Sequence, residues 1–394
     1  MHPSRFSKAL IIILIAVIPT FLLWLPFILH IPEVFGIPVS KNGMATVISN
    51  YDGPLYLVVA KSLYGAQYIK EHFSFALPVE YYAAHFPLYP LVIRVIGEFL
   101  HLISGSSFGY PWAMLLTTVG SSIFSTYYFY KLAEQNVGKK HALWLTAVFS
   151  IFPARWLTVR SVGSPEPLFV GAIIASIYHF KEENYWRAGL FGALAQLTKS
   201  PGILLFVAYA LALFVPKFKQ LARFSTSTWM RSFKLKTFPI ILIPLALLGV
   251  FIGYYFAFGN FFAYFNSGDN IHILFPPFQI FDYSQPWVGT FWLEEVIFIY
   301  LFGIVGTIAL FKQNQRVMAW FVGIFFTSIL FVSHRDIMRY ALPTVPFIII
   351  AFANQLIQKE MKWAFLILII PIFLFSLAYI TNNAMPISDR APLL

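Results

Sequence analysis

No cysteine occurs in the sequence, which excludes disulfides and thiol chemistry and leaves the redox compartment open. Charge is scarce as well: 11% of the residues are charged, against about 25% in a soluble domain. That leaves too little polar surface to coat a water-soluble globule of 394 residues. No Gly-x-Gly-x-x-Gly or Walker pattern appears, so nucleotide-dependent chemistry has no anchor. No His-x-x-x-His or similar spacing appears either, so a divalent metal finds no support and no cofactor is implied. The absence of Asn-x-Ser/Thr sequons points to a prokaryotic source. No repeat, low-complexity stretch or soluble domain stands out.

What is present is apolar: 59% of the residues are hydrophobic and 19% aromatic, and the mean hydropathy is +0.73. The bilayer must be the main solvent. The sequence reads as one all-α polytopic membrane domain over 1–394. Arg5 and Lys8 precede an apolar run from Ala9 to Leu29 that is too long for a cleaved leader, so it reads as a retained signal anchor. The net charge of +11 would raise nucleic acid as a partner in a soluble protein. Here the basic residues gather in short loops, so topology explains them and no nucleic acid is implied.

Apolar runs predict about eleven spans, near 9–30, 109–131, 141–158, 165–181, 187–199, 201–216, 238–262, 291–311, 317–333, 340–358 and 362–380. Lys131, Lys139 and Lys140 mark one loop as cytoplasmic, and Lys181 with Arg187 a second. The basic loop 217–237 is the strongest, and Lys312, Arg316, Lys359 and Lys362 mark two more. The N-terminus is therefore inside. Segment 86–103 is apolar enough to cross, but a crossing would break the parity. Arg94, Glu98 and His101 share a helix face there, so it reads as an interfacial or re-entrant helix. The stretch 53–70 reads similarly. External segments are 31–108, the first external loop with its interfacial helices, and 263–290.

On this topology Asp52, His85, Arg94, Arg155, Arg160, Glu166, Lys199, Asp282, His334, Arg335, Asp336 and Arg339 all lie at the external side. Charges near a span end need partners or water, and their convergence on one face implies a water-filled cavity. Arg155, Arg160, Lys199, Arg335 and Arg339 run against the positive-inside bias. Either they snorkel to headgroups or they meet an anionic ligand such as a lipid phosphate. Asp52 is either a general base or a cap on a helix starting at Pro54. Glu166 in Ser164-Pro165-Glu166 is either a site residue or a complement to a helix dipole. His85 is either a site residue or an ordinary interfacial histidine.

The order of these elements carries a resemblance. Tyr51-Asp52-Gly53, His85-Phe86-Pro87-Leu88-Tyr89-Pro90, Phe152-Pro153-Ala154, Ser164-Pro165-Glu166-Pro167-Leu168-Phe169 and Thr198-Lys199-Ser200-Pro201-Gly202 follow one another along the chain. This resembles the PIG-V-like mannosyltransferases, of the GT-C class that uses polyprenyl-phosphate sugars. Arg339-Tyr340-Ala341-Leu342-Pro343 resembles a late Arg-Tyr-Leu-x-Pro element of many GT-C enzymes. The likeness covers roughly 45–205 well and the rest by architecture. It implies a GT-C-like fold, a polyprenyl- or dolichyl-phosphate sugar donor, a lipid or glycan acceptor, and Asp52 as catalytic base. It implies a phosphate contact from Lys199 and places the Arg339-Tyr340 element at the same site; by charge and position Arg160 is expected to join Lys199, Arg339 and Tyr340 on the phosphate, with Tyr51, His85, Glu166 and Arg155 close by. The chain departs from the family at Tyr51, where Trp is usual, at His85 in place of Phe, and at Lys199 in place of Arg.

The chemistry fits these residue types. A phosphate leaves as a stable anion and needs no acid, so one base for the acceptor hydroxyl suffices, with cations to hold the phosphate. Glycoside hydrolysis would need an acid as well. Direct displacement inverts the anomeric centre. The rival reading is a transporter or flippase of an anionic lipid-linked substrate. Such proteins usually show symmetric halves and charges at the midplane.

Overall fold

The computed structural model describes residues 5–74, 77–104, 109–221, 235–268, 273–282, 284, 293–387 and 391–393. The order begins with α1 (Arg5–Ile28), a two-strand hairpin of β1 (Glu33–Val34) and β2 (Ile37–Pro38), then α2 (Met44–Ile48), α3 (Gly53–Ser62) and α4 (Ala66–His72). Next come α5 (Leu88–Ser104), α6 (Tyr110–Val137), α7 (Lys139–Ile151), α8 (Ala154–Val159), α9 (Glu166–Lys181), α10 (Tyr185–Thr198) and α11 (Ile203–Leu221). The chain continues through α12 (Leu242–Phe258), α13 (Ala263–Asn266), α14 (Leu293–Lys312) and α15 (Arg316–Ile329). It closes with α16 (Ile337–Ala341), α17 (Val345–Ala351), α18 (Ala353–Leu356) and α19 (Lys359–Asn382).

Among the described residues, four helical stretches are long and apolar enough to cross a membrane: Ser7–Ile28, Leu235–Phe258, Leu293–Lys312 and Lys359–Asn382. Each leaves most of its residues outside the protein core, as helices facing hydrocarbon do. The other expected spans fall on helices that are shorter or more polar. α9 is apolar all round and almost wholly buried between α6 and α10, which makes it the central helix of the bundle.

Two expected spans are not continuous. The helix foreseen over 141–158 stops at Ile151, because Pro153 excludes helical geometry at Phe152, and resumes at Ala154. The helix foreseen over 340–358 is divided into α16, a turn over Leu342–Thr344, α17 and α18, with Pro343 and Pro346 in its first turns. The long run over 187–216 does break at Ser200–Gly202, as the sequence predicts.

The first external segment differs from its reading in one part. α3 is no surface helix: its residues from Gly53 to Ala60 are buried. Leu63 and Tyr64, at φ 48° and 66°, turn the chain away before α4. α5 fits an interfacial helix, with Leu91, Val95, Phe99 and Leu102 exposed along one stripe. Arg94 Nη1 donates to the carbonyls of Ala60 and Lys61, each at 3.0 Å, and so satisfies the last turn of α3. Arg94 also pairs with Glu98 at 3.8 Å. Loop 217–237 lies mostly outside the described residues, as does part of 263–290.

Candidate active site

A cavity of about 890 Å³ opens where α3, α9, α10 and the segment before α16 converge. Its polar end is lined by Tyr51, Asp52, Tyr56, His85, Glu166, Lys199, His334, Arg335, Asp336, Arg339 and Tyr340. Its apolar end is lined by Ile203 and Leu204 of α11, Leu247 and Phe251 of α12, and Phe325 and Ile329 of α15.

Asp52 stands just before α3, after Tyr51 in the left-handed region at φ 49°. Its side chain makes no capping hydrogen bond, so the cap reading fails here. Gly53 is required by close approach: an added Cβ would lie 2.7 Å from the Ile48 carbonyl oxygen. Asp52 Oδ2 is 3.5 Å from Arg339 Nη2, and the side chain stays 33% exposed toward the cavity.

Glu166 opens α9 and is buried. Its Oε1 accepts from Lys199 Nζ at 2.7 Å and from Arg339 Nε at 2.7 Å, and Oε2 accepts from Ser164 Oγ. A buried carboxylate is costly unless paired, and two cations and a hydroxyl pair this one. Lys199 sits at the end of α10 in extended conformation, followed by the tight turn Ser200–Gly202. Arg339 lies in α16, with its guanidinium 4.2 Å from the Tyr51 ring centroid. Asp52, Glu166, Lys199 and Arg339 thus form one ion-pair chain drawn from four distant parts of the sequence.

Arg155 stands behind this wall. Its Nη1 donates to Tyr51 Oη at 3.2 Å, its Nε is 3.2 Å from Asp336 Oδ1, and it stacks on Tyr379 at 3.7 Å. Arg160 does not line the cavity. It is fully buried, with Nη1 donating to the Ser150 carbonyl at 2.5 Å and Nη2 to the Ala16 carbonyl. Its guanidinium therefore ties α1 to the end of α7, which corrects its reading as a phosphate contact.

Burial pulls His85 down to about 4, with the Asp52 charge opposing. Burial and the charges of Arg339 and Arg335 pull His334 down to about 4. Burial pushes Asp336 up, against Arg155 and Arg339. Both imidazoles are therefore neutral near pH 7 and serve as hydrogen-bonding groups rather than cations. His334 also packs edge-on to Tyr340, with centroids 5.0 Å apart. Among the described residues no group of three or more His, Asp or Glu side chains is arranged to hold a metal ion.

Several lining residues were not foreseen as ligands. Asn382 and Asn383, at the end of α19, reach the rim with Ala384 to Pro386. Asn50 Nδ2 donates to the Ile380 carbonyl at 2.7 Å, Asn383 Nδ2 to Asn50 Oδ1 at 3.3 Å, and Met385 N to the Ser49 carbonyl at 2.7 Å. An asparagine pair so far apart in the chain leaves no signal in a single sequence. Asp336 did carry one, as an acid between two arginines beside a span end.

No protein-family model matches the chain, and no curated protein matches it. Solved structures do share its fold. ArnT from Cupriavidus metallidurans bound to undecaprenyl phosphate aligns with a TM-score of 0.53 at 13% identity, covering 89% of this chain and 61% of that one. The same protein in its apo state aligns at 0.54 and 14% identity over 90% and 61%. The archaeal oligosaccharyltransferase AglB from Archaeoglobus fulgidus, in complex with an inhibitory peptide and a dolichol-phosphate, aligns at 0.52 and 13% over 98% and 57%. The chain thus spans about three fifths of the length of these proteins. Its fold is helical and shared with these proteins.

Proposed function

We propose that the protein is a membrane glycosyltransferase that moves a hexose, mannose by family resemblance, from a polyprenyl- or dolichyl-phosphate donor to an acceptor hydroxyl. The reaction takes place at the external face of a chain of about eleven spans with its N-terminus inside. One observation carries the reading. A single cavity joins an uncapped carboxylate, Asp52, to the Lys199–Glu166–Arg339 cluster and to an apolar wall from α11, α12 and α15. A lipid-linked phosphate sugar has those three parts: a reacting carbon, an anion and a hydrocarbon chain. Two of the proteins of like fold were solved with undecaprenyl phosphate or a dolichol-phosphate, which supports the donor class.

In this reading Asp52 takes the proton of the acceptor hydroxyl as its oxygen attacks the anomeric carbon. The bond from that carbon to the phosphate oxygen breaks, and the phosphate leaves with the electron pair, so the anomeric centre inverts. Lys199 and Arg339 stabilise the departing charge from fixed positions. Glu166 holds the two cations in place, and Arg155 holds Tyr51 and Asp336. Tyr340 and His85 supply neutral hydrogen-bonding groups to phosphate or sugar.

The test is transfer by the purified chain in nanodiscs supplied with polyprenyl-phosphate hexoses. Asp52→Asn is expected to lower turnover by roughly 10²–10⁴-fold, the share of general-base catalysis, with donor binding retained. Near-normal turnover in Asp52→Asn sinks the base assignment. Movement of a lipid-linked donor across the bilayer without transfer would establish the transporter reading instead.

A further inference from the structure

We infer that Arg335 is the principal ligand of the phosphate on the lipid-linked donor; this rests on the glycosyltransferase reading. The argument is one of charge. Lys199 Nζ is 2.7 Å from Glu166 Oε1, and Arg339 is engaged by both Glu166 and Asp52. Arg155 is engaged by Asp336 at 3.2 Å. Each of these cations already faces a carboxylate. Arg335 also lines the cavity, is exposed, and has no hydrogen-bond or ion-pair partner among the described residues.

An anion entering beside Lys199 and Arg339 meets a group whose charges balance: two cations and the two carboxylates Asp52 and Glu166. Drawing either cation toward it would weaken an ion pair around the buried Glu166, where an unpaired charge is costly. Arg335 carries no such penalty. Its guanidinium offers a planar fork of donors matched to phosphate oxygens and sheds water more readily than an ammonium. Its backbone is held on both sides. Val332 bridges Ile273, Ser333 Oγ donates to the Gln279 carbonyl at 3.1 Å, and Asp336 is pinned by Arg155. Arg335, His334 and Asp52 all line this one cavity. The cavity thereby divides its labour: the balanced chain keeps geometry, and Arg335 supplies the uncompensated charge.

The experiment measures binding of undecaprenyl phosphate to the full chain in phosphatidylcholine nanodiscs, together with the donor and acceptor KM values. Arg335→Gln is expected to weaken binding and raise donor KM by about ten- to a hundredfold, the loss of one charge-assisted contact. Arg335→Lys should recover part of that loss. Asp52→Asn, which leaves Arg339 less compensated, should bind more tightly than wild type if at all changed, and added salt should weaken wild type more than Arg335→Gln. Wild-type-like binding and donor KM in Arg335→Gln overturn the assignment and leave the glycosyltransferase reading standing. A rise confined to acceptor KM overturns it in favour of an anionic acceptor. Inorganic phosphate competing as well as the lipid overturns the lipid-linked source. No binding of undecaprenyl phosphate by wild type overturns both the assignment and the donor class beneath it.

Discussion

At the scale of single residues, the basic side chains in and near the cavity separate by partner. Arg155 and Arg339 face carboxylates, Lys199 shares Glu166 with Arg339, and Arg160 faces main-chain carbonyls. Replacing Arg160 by Met would leave the Ser150 carbonyl at the end of α7 unpaired and remove the tie to Ala16 of α1. The expected cost is about 1–3 kcal/mol, seen as a lower thermal midpoint with donor binding per folded molecule unchanged. His85 gives a pH-dependent prediction. Its folded pKa of about 4 lies below the ordinary value of 6.5, so the unfolded chain binds the extra proton between those values. Stability is then full above about pH 6.5 and falls as the pH drops toward 4, by about 3 kcal/mol for this one group. His85→Phe, the residue usual in the resembling family, should flatten that part of a midpoint-versus-pH profile. An unchanged slope would place the titration elsewhere. Charge and position relative to a span end are legible in a sequence, so Asp52, Lys199 and Arg339 could be singled out. The direction a helix face turns is not, and Arg160 was therefore grouped with residues it does not join.

At the scale of elements, the turn after α10 shows how local geometry sets the site. An added Cβ on Gly202 would lie 2.5 Å from Gln196 Cα and 2.7 Å from its nitrogen. That contact is with backbone and cannot be relieved by a rotamer change. Gly202→Ala should therefore displace the turn that carries Lys199, lowering transfer although residue 202 offers no side chain to a substrate. Normal transfer in Gly202→Ala would show that the turn tolerates the shift. Continuous helices such as α1 and α19 were legible from their apolar runs, and the break at Ser200–Gly202 from its turn residues. The division of 340–358 was not, because Leu342, Val345 and Phe347 are as buried as residues of a plain span. Hydropathy registers burial in lipid and burial in protein alike. The division matters, since it gives α16 its own start at Ile337 and so sets Arg339 against Glu166.

At the scale of the molecule, the absence of cysteine makes the topology directly testable. A single cysteine at Ser225 should be labelled only from the cytoplasmic side and one at Lys41 only from the outside; the reverse pattern would invert the protein and move the cavity to the cytoplasmic face. The convergence of the site is a property of this whole and of no local stretch: Glu166 and Arg339 are 173 positions apart, and Asn50 bonds the Ile380 carbonyl across 330. That last bond sets an order of events during synthesis. The segment bearing Asp52 leaves the ribosome early, yet its anchors at Ile380, Asn383 and Met385 follow about 330 residues later. Until those anchors form, the segment that carries the carboxylate lacks its docking partner. Under the proposed function, chains stopped after Thr381, which lack Asn383 and Met385, should insert and accumulate without transferring sugar; undiminished transfer would show those anchors to be dispensable.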